Sequence, residues 1–203
     1  MKRLYIILII ALTILPANAQ LKFRYGVTAG LNVSSAILPE LKLNTNLNSI
    51  LHGDDVVQGN PQLADFVGLY KAGLFLKLDG KIGSAKFNMN YVKTKIHKEL
   101  NAGLFSVEAL DILLSYLDFE ITYNINLGKH FYFSLGYIPS VLLNHEGNLN
   151  INTLDQRLLS GFGFRFAKGM TIDFDAVAGI SEIIDGSYIH NIMIPITINI
   201  PLN

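Results

Sequence analysis

Eleven consecutive residues, Lys22 to Asn32, alternate between two chemistries: Phe23, Tyr25, Val27, Ala29 and Leu31 share one face, and Lys22, Arg24, Gly26, Thr28, Gly30 and Asn32 the other. A period of two held that long specifies a β-strand, because successive Cβ atoms point to opposite sides of a sheet. The pattern recurs about eight times along the chain. Its apolar face carries bulky side chains, and its polar face is rich in glycine. That balance suits strands whose oily side meets lipid and whose polar side fills a narrow closed lumen.

The later repeats are equally regular. Tyr70, Leu74, Leu76 and Leu78 oppose Lys71, Gly73, Phe75 and Lys77; Leu117 to Leu127 alternates with Asp118, Glu120, Thr122, Asn124 and Asn126; Ile192 to Ile200 alternates with Asn191, Met193, Pro195, Thr197 and Asn199. Strands are also expected at 84–96, 131–137, 161–166 and 172–180. Short connections carrying glycine, at 80–83, 128–130 and 168–170, alternate with long ones at 33–68, 97–110, 140–155 and 181–187. Short turns on one side and long loops on the other are the signature of an outer-membrane barrel. A three-residue loop at 128–130 predicts Asn126 opposite Tyr132, and one at 168–170 predicts Arg165 opposite Asp173 and Phe164 opposite Phe174.

Composition narrows the reading. The 203 residues include 16 basic and 16 acidic side chains and no cysteine, which argues against a nucleic-acid partner and excludes disulfides. Met1 to Ala19 reads as an export signal: Lys2 and Arg3, an apolar run from Leu4 to Leu15, and Ala17-Asn18-Ala19 before the expected cut. The expectation is therefore a cleaved signal over 1–19 and one domain over 20–203. The fold class is all-β, an eight-stranded antiparallel up-and-down transmembrane β-barrel with a polar, side-chain-filled lumen.

Strand parity sorts nine charges to the lumen: Arg24, Lys71, Lys77, Arg157 and Arg165 against Asp118, Glu120, Asp173 and Asp175. Unpaired buried charges cost several kcal/mol each, so a ladder of ion pairs is expected. An eight-stranded barrel is only wide enough for side chains to fill, which predicts a plugged cylinder. Aromatic residues near strand ends, Tyr25, Phe87, Phe131 and Phe166 on the short-turn side and Tyr70, Tyr137 and Tyr188 on the other, read as two interfacial girdles.

The first long loop carries Ile37, Leu38, Leu41, Leu43, Ile50 and Leu51. Such apolar content suggests a strand extension, a folded cap over the mouth, or a docking patch for a partner. Enzymatic signals are weak. His97, His145 and His190 fall near loop ends without a G-x-S-x-G elbow or a metal-ligand spacing, and Asp54-Asp55 reads as a solvated turn. No cofactor or metal is expected.

With the export signal, the run Tyr25-Gly26-Val27-Thr28-Ala29-Gly30-Leu31-Asn32 before a long first loop, and the close Ile194-Pro195-Ile196-Thr197-Ile198-Asn199-Ile200-Pro201, the chain resembles the PorT-like outer-membrane β-barrel family. The resemblance implies an eight-stranded barrel without catalytic residues, in some members an accessory to secretion or gliding machinery. The expected role is structural or interactive, through long extracellular loops. The alternative is an enzyme remodelling lipid A at the barrel mouth. Expected surroundings are the bacterial outer membrane, its lipid and lipopolysaccharide, and a protein partner at the outer loops.

Overall fold

Among the described residues the chain forms nine antiparallel strands in order: β1 (Lys22–Leu41), β2 (Gln58–Leu63), β3 (Val67–Asp79), β4 (Gly83–Ala102), β5 (Phe105–Asn126), β6 (Phe131–Glu146), β7 (Leu154–Arg165), β8 (Thr171–Gly179) and β9 (His190–Pro201). The structure is a computed structural model describing residues 21–41, 58–102, 105–146, 151–184 and 188–203. Residues 1–19, and with them the expected signal, lie outside that range, as do Leu43, Ile50, Leu51, Asp54 and Asp55.

Each strand pairs its neighbour, and β1 pairs β9 from Gly26↔Pro201 to Ile37↔His190, which closes the sheet. The wall has eight staves, because β2 continues the line of β3. It takes the top of β1 (Ile37↔Leu63, Leu38↔Gln62) where β3 takes the rest (Ser34↔Val67). At the seam's lower end the Asn203 carboxamide stands in for a peptide group: Oδ1 accepts from Tyr25 N at 3.0 Å and Nδ2 donates to Phe23 O at 3.2 Å.

Phe23, Leu31, Leu74, Ile121, Phe162, Phe174 and Ile196 all stand exposed on the outer face. No helix among the described residues is long and apolar enough to cross a membrane. The strands present the apolar belt instead. About ten residues of tilted strand traverse an outer-membrane hydrocarbon band of about 25 Å, and β8 has 9 residues. β1, β4 and β5, at 20, 20 and 22 residues, are about twice that length and rise well past the band.

Among the described residues, three segments expected as long loops carry strand. β1 runs to Leu41 and pairs β2 from Ile37↔Leu63 to Leu41↔Gln58, β4 and β5 pair up to Ala102↔Phe105, and β6 runs to Glu146. The physical reason is an inversion of the pattern above the lipid. On β4, Lys93, Lys95 and His97 share the outward parity of Met89 and Tyr91, while Val92, Thr94 and Ile96 are buried inside. A sheet standing in water keeps its apolar side inward, so a search for oily outward faces ends strands too early.

The hairpins fix registers. Asn126 pairs Tyr132 as the loop length predicts, but Gly163 pairs Asp173 and Phe164 pairs Ile172, two residues from the expected Arg165–Asp173 match. The 3-10 turn at Ala167–Gly169 sets this, with Lys168 at φ 59° and Gly169 at φ 82°, and Phe166 N donating to Met170 O at 2.8 Å. A two-residue shift keeps every side chain on its face.

Candidate functional site

Inward-facing charges form three clusters. Near the short turns, Arg24 Nε lies 2.7 Å from Asp79 Oδ2, and Lys77 Nζ lies 3.4 Å from Asp79 Oδ1. Arg165 donates to Asn126 Oδ1 at 3.1 Å. Its guanidinium and the Lys77 ammonium each sit 5.5 Å from the Tyr132 ring centre.

In the second cluster Lys86 Nζ is 2.6 Å from Asp173 Oδ2 and 4.0 Å from Glu120 Oε1, and Lys71 Nζ is 3.0 Å from Glu120 Oε2. Asn88 donates to Glu120 at 2.5 Å and Asn199 to Asp173 at 3.0 Å, and the Tyr132 hydroxyl also donates to Asp173. Asp175 is buried alongside, against Gly161, with Oδ1 unbonded.

The third cluster is built on Arg157, which is 0% exposed. Its Nε donates to Asp155 Oδ2 at 2.9 Å, its two terminal nitrogens donate to Asp118 at 3.1 and 3.2 Å, and its guanidinium lies 4.8 Å from the Tyr116 ring centre. Asn191 and Ser181 complete Asp155, each at 2.8 Å.

All nine charges singled out from sequence lie within these clusters. Lys86, Asp79 and Asp155 were missed, although parity alone places Lys86 with Asn88 and Asn90, and Asp155 two residues before Arg157. Tyr132 and Tyr116 were missed because an aromatic side chain on a polar face carries no charge to flag it.

An apolar plug covers the network on the long-loop side. Ala36, Ala64, Ile96, Ile112 and Leu114 from the raised wall enclose Ile151 and Ile183, which the connections preceding β7 and following β8 fold inward. Asn152 N donates to Ile183 O at 2.8 Å, and Ile151 bridges Ile184. Leu38 packs on this cluster, while Ile37 pairs with His190 and Leu41 ends β1.

Gly163 shows how tightly the lumen is filled. A Cβ there would fall on the Tyr132 ring, and overpacking costs about 1–3 kcal/mol or more when neighbours cannot move. Gly163→Ala should therefore lower the urea midpoint of the refolded barrel, and Gly163→Ala combined with Tyr132→Leu should recover part of the loss.

Chemically the arrangement neutralises charge. Among the described residues no group of three or more His, Asp or Glu is placed to hold a metal. His97 lies 3.4 Å from Asp111, and His190 Nδ1 is 2.9 Å from Ser181 O, an ordinary structural contact.

No family model and no curated protein matches the sequence. Among solved structures the chain is similar to Neisserial surface protein A, at 12% identity and a TM-score of 0.53, over 89% of this chain and 98% of that one. The attachment invasion locus protein Ail of Yersinia pestis aligns at 7% identity with a TM-score of 0.46, over 88% and 97%. The likeness to the Neisserial protein is one of fold, the closed eight-stranded antiparallel barrel.

Proposed function

We propose that this chain is a non-enzymatic barrel of the bacterial outer membrane, exported by a signal over 1–19, that works as a docking platform through the wall it raises beyond the lipid. One observation carries the reading: β1, β4 and β5 run to about twice the length a membrane crossing requires, above an interior closed by ion pairs and an apolar plug. Ordering that much exposed sheet is costly in conformational entropy, which favours its use as a surface. Leu63, Phe66 and Leu143 are exposed apolar residues on this side and suit a protein partner. The first-connection residues Ile37, Leu41, Leu43, Ile50 and Leu51, near Leu63 in sequence, belong to the same proposed docking segment. The opening run Gly26-Val27-Thr28-Ala29-Gly30-Leu31-Asn32 supports the finer PorT-like assignment and a place beside secretion or gliding machinery.

Photo-cross-linkers at Leu63 and Leu143 in native membranes should each yield a discrete adduct with the same protein. Adducts with lipid alone, or an altered lipid A composition on overexpression, would overturn the reading in favour of lipid A remodelling. The purified barrel in a planar bilayer should show no step conductance, since the filled lumen leaves no water path.

A further inference from the structure

The β3–β4 ladder ends early. Its last pair is Lys71↔Val92, although β3 continues up to Val67 and β4 to Ala102. On β4 the released backbone groups are taken by β1 side chains: Asn32 Nδ2 donates to Lys93 O at 3.1 Å, while Ser34 Oγ donates to Lys95 O at 3.2 Å and accepts from Lys95 N at 3.0 Å. Asp65 N donates to His97 O at 2.7 Å. β1 thus reaches β4 directly, and the top of β3 is displaced outward. Among the described residues Gly68, Leu69 and Tyr70 pair with β1 alone, leaving their other edge without a strand.

An unpaired strand edge cannot face acyl chains, where nothing replaces the missing hydrogen bonds. The opening must therefore lie at or beyond the outer headgroups. Its surroundings fit that level. Tyr70 is exposed and its ring centre is 6.3 Å from that of Tyr91, an aromatic pair of the kind that anchors at the interface. Lys93 Nζ stands 5.7 Å from the centre of the Tyr70 ring on the outer face and is in no ion pair among the described residues, whereas Lys95 is paired with Asp111 at 2.7 Å. Beside them Gly68 has no atom within 4 Å of where a Cβ would stand, so the outer face next to Tyr70 is open.

We propose that this opening seats the phosphate of an anionic outer-leaflet lipid, with Lys93 as its cation and the Tyr70 and Tyr91 rings as its walls. The inference rests on the barrel spanning the outer membrane. Charge complementarity selects the occupant: an ammonium with no carboxylate partner among the described residues, at headgroup depth, meets a layer of lipid phosphates, and an ammonium is a point-charge phosphate binder. A partner's β-strand is less favoured, because the free edge is only the short stretch from Gly68 to Tyr70 and ends against a charged side chain.

Native mass spectrometry of the purified full chain, exposed to equal phosphatidylglycerol and phosphatidylcholine, tests the site. The barrel should retain phosphatidylglycerol preferentially; Lys93→Ala should reduce that preference about fivefold, the factor one lysine near an anionic surface contributes. Lys93→Arg should keep it, and so should Lys95→Ala. Equal retention by Lys93→Ala overturns the proposal, as does release of the lipid by millimolar inorganic phosphate, which would mark a free-anion site. A peptide adduct from a cross-linker at Gly68 that survives Lys93→Ala overturns it in favour of strand addition. Heat-dependent gel mobility verifies folding of each variant, and Lys93→Gln replaces any that fails. Failure of the wild-type chain to insert into vesicles defeats the membrane reading itself, whereas insertion with unselective retention defeats only this site.

Discussion

Arg157→Ala is expected to destabilise the barrel by roughly 3–5 kcal/mol, the cost of leaving buried charge uncompensated. Arg157 is the sole cation bonded to Asp118 and Asp155 among the described residues, and all three are buried. Its loss leaves two carboxylates facing each other with only Asn191 and Ser181 to bond one of them. Urea titration in vesicles, read by tryptophan-free tyrosine emission or by the heat-dependent gel shift, should show a large fall in midpoint or no refolding. Arg157→Lys should recover only part of the loss, because one ammonium cannot reproduce the forked contact with Asp118 and the bond to Asp155 together. The triple change Arg157→Met, Asp118→Asn and Asp155→Asn should be milder than Arg157→Ala, since it removes the charges with their partner. If Arg157→Ala refolds with an unchanged midpoint, water reaches the third cluster and the lumen is not dry there.

The same cluster shows what a single sequence makes legible. Along the lower strands the outward face is mostly apolar and the inward face mostly polar, with Phe75, Leu159, Val177 and Met193 as buried exceptions, so parity assigns Arg157 and Asp118 to one side without knowledge of any contact. Partners are a different matter. Arg157 reaches Asp118 on β5 across β6, and Lys71 on β3 reaches Glu120 on β5 across β4. Those pairings depend on barrel closure and strand stagger, which no strand records by itself. Above the lipid the parity rule changes sign, and Ile96, Ile112 and Leu114 turn inward where the lower strands carry Asn90 and Asp118. The apolar plug was hidden for that reason, as was the length of β4 and β5. Ile151 and Ile183 were hidden more deeply, because two isolated isoleucines in connecting segments resemble any loop residue until the wall they fill is known.

Lys86→Met is expected to cost roughly 3–5 kcal/mol, more than Asp173→Asn at roughly 1–3 kcal/mol, even though each breaks the same 2.6 Å contact. The asymmetry follows from what remains. Without Lys86, Asp173 is left buried with only the neutral donors Tyr132 and Asn199 among the described residues, whereas Glu120 still has Lys71. Without the Asp173 charge, Lys86 keeps Glu120 at 4.0 Å, and the new amide oxygen still accepts from Tyr132 or Asn199. The double variant should cost less than the two singles added together, with a coupling of at least about 1 kcal/mol in a double-mutant cycle on urea midpoints. Additive singles would mean that water already separates the ammonium from the carboxylate. A hydrated second cluster would open a path past Tyr132 toward the apolar plug, and the barrel would then have to be considered as a conduit gated by Ile151 and Ile183.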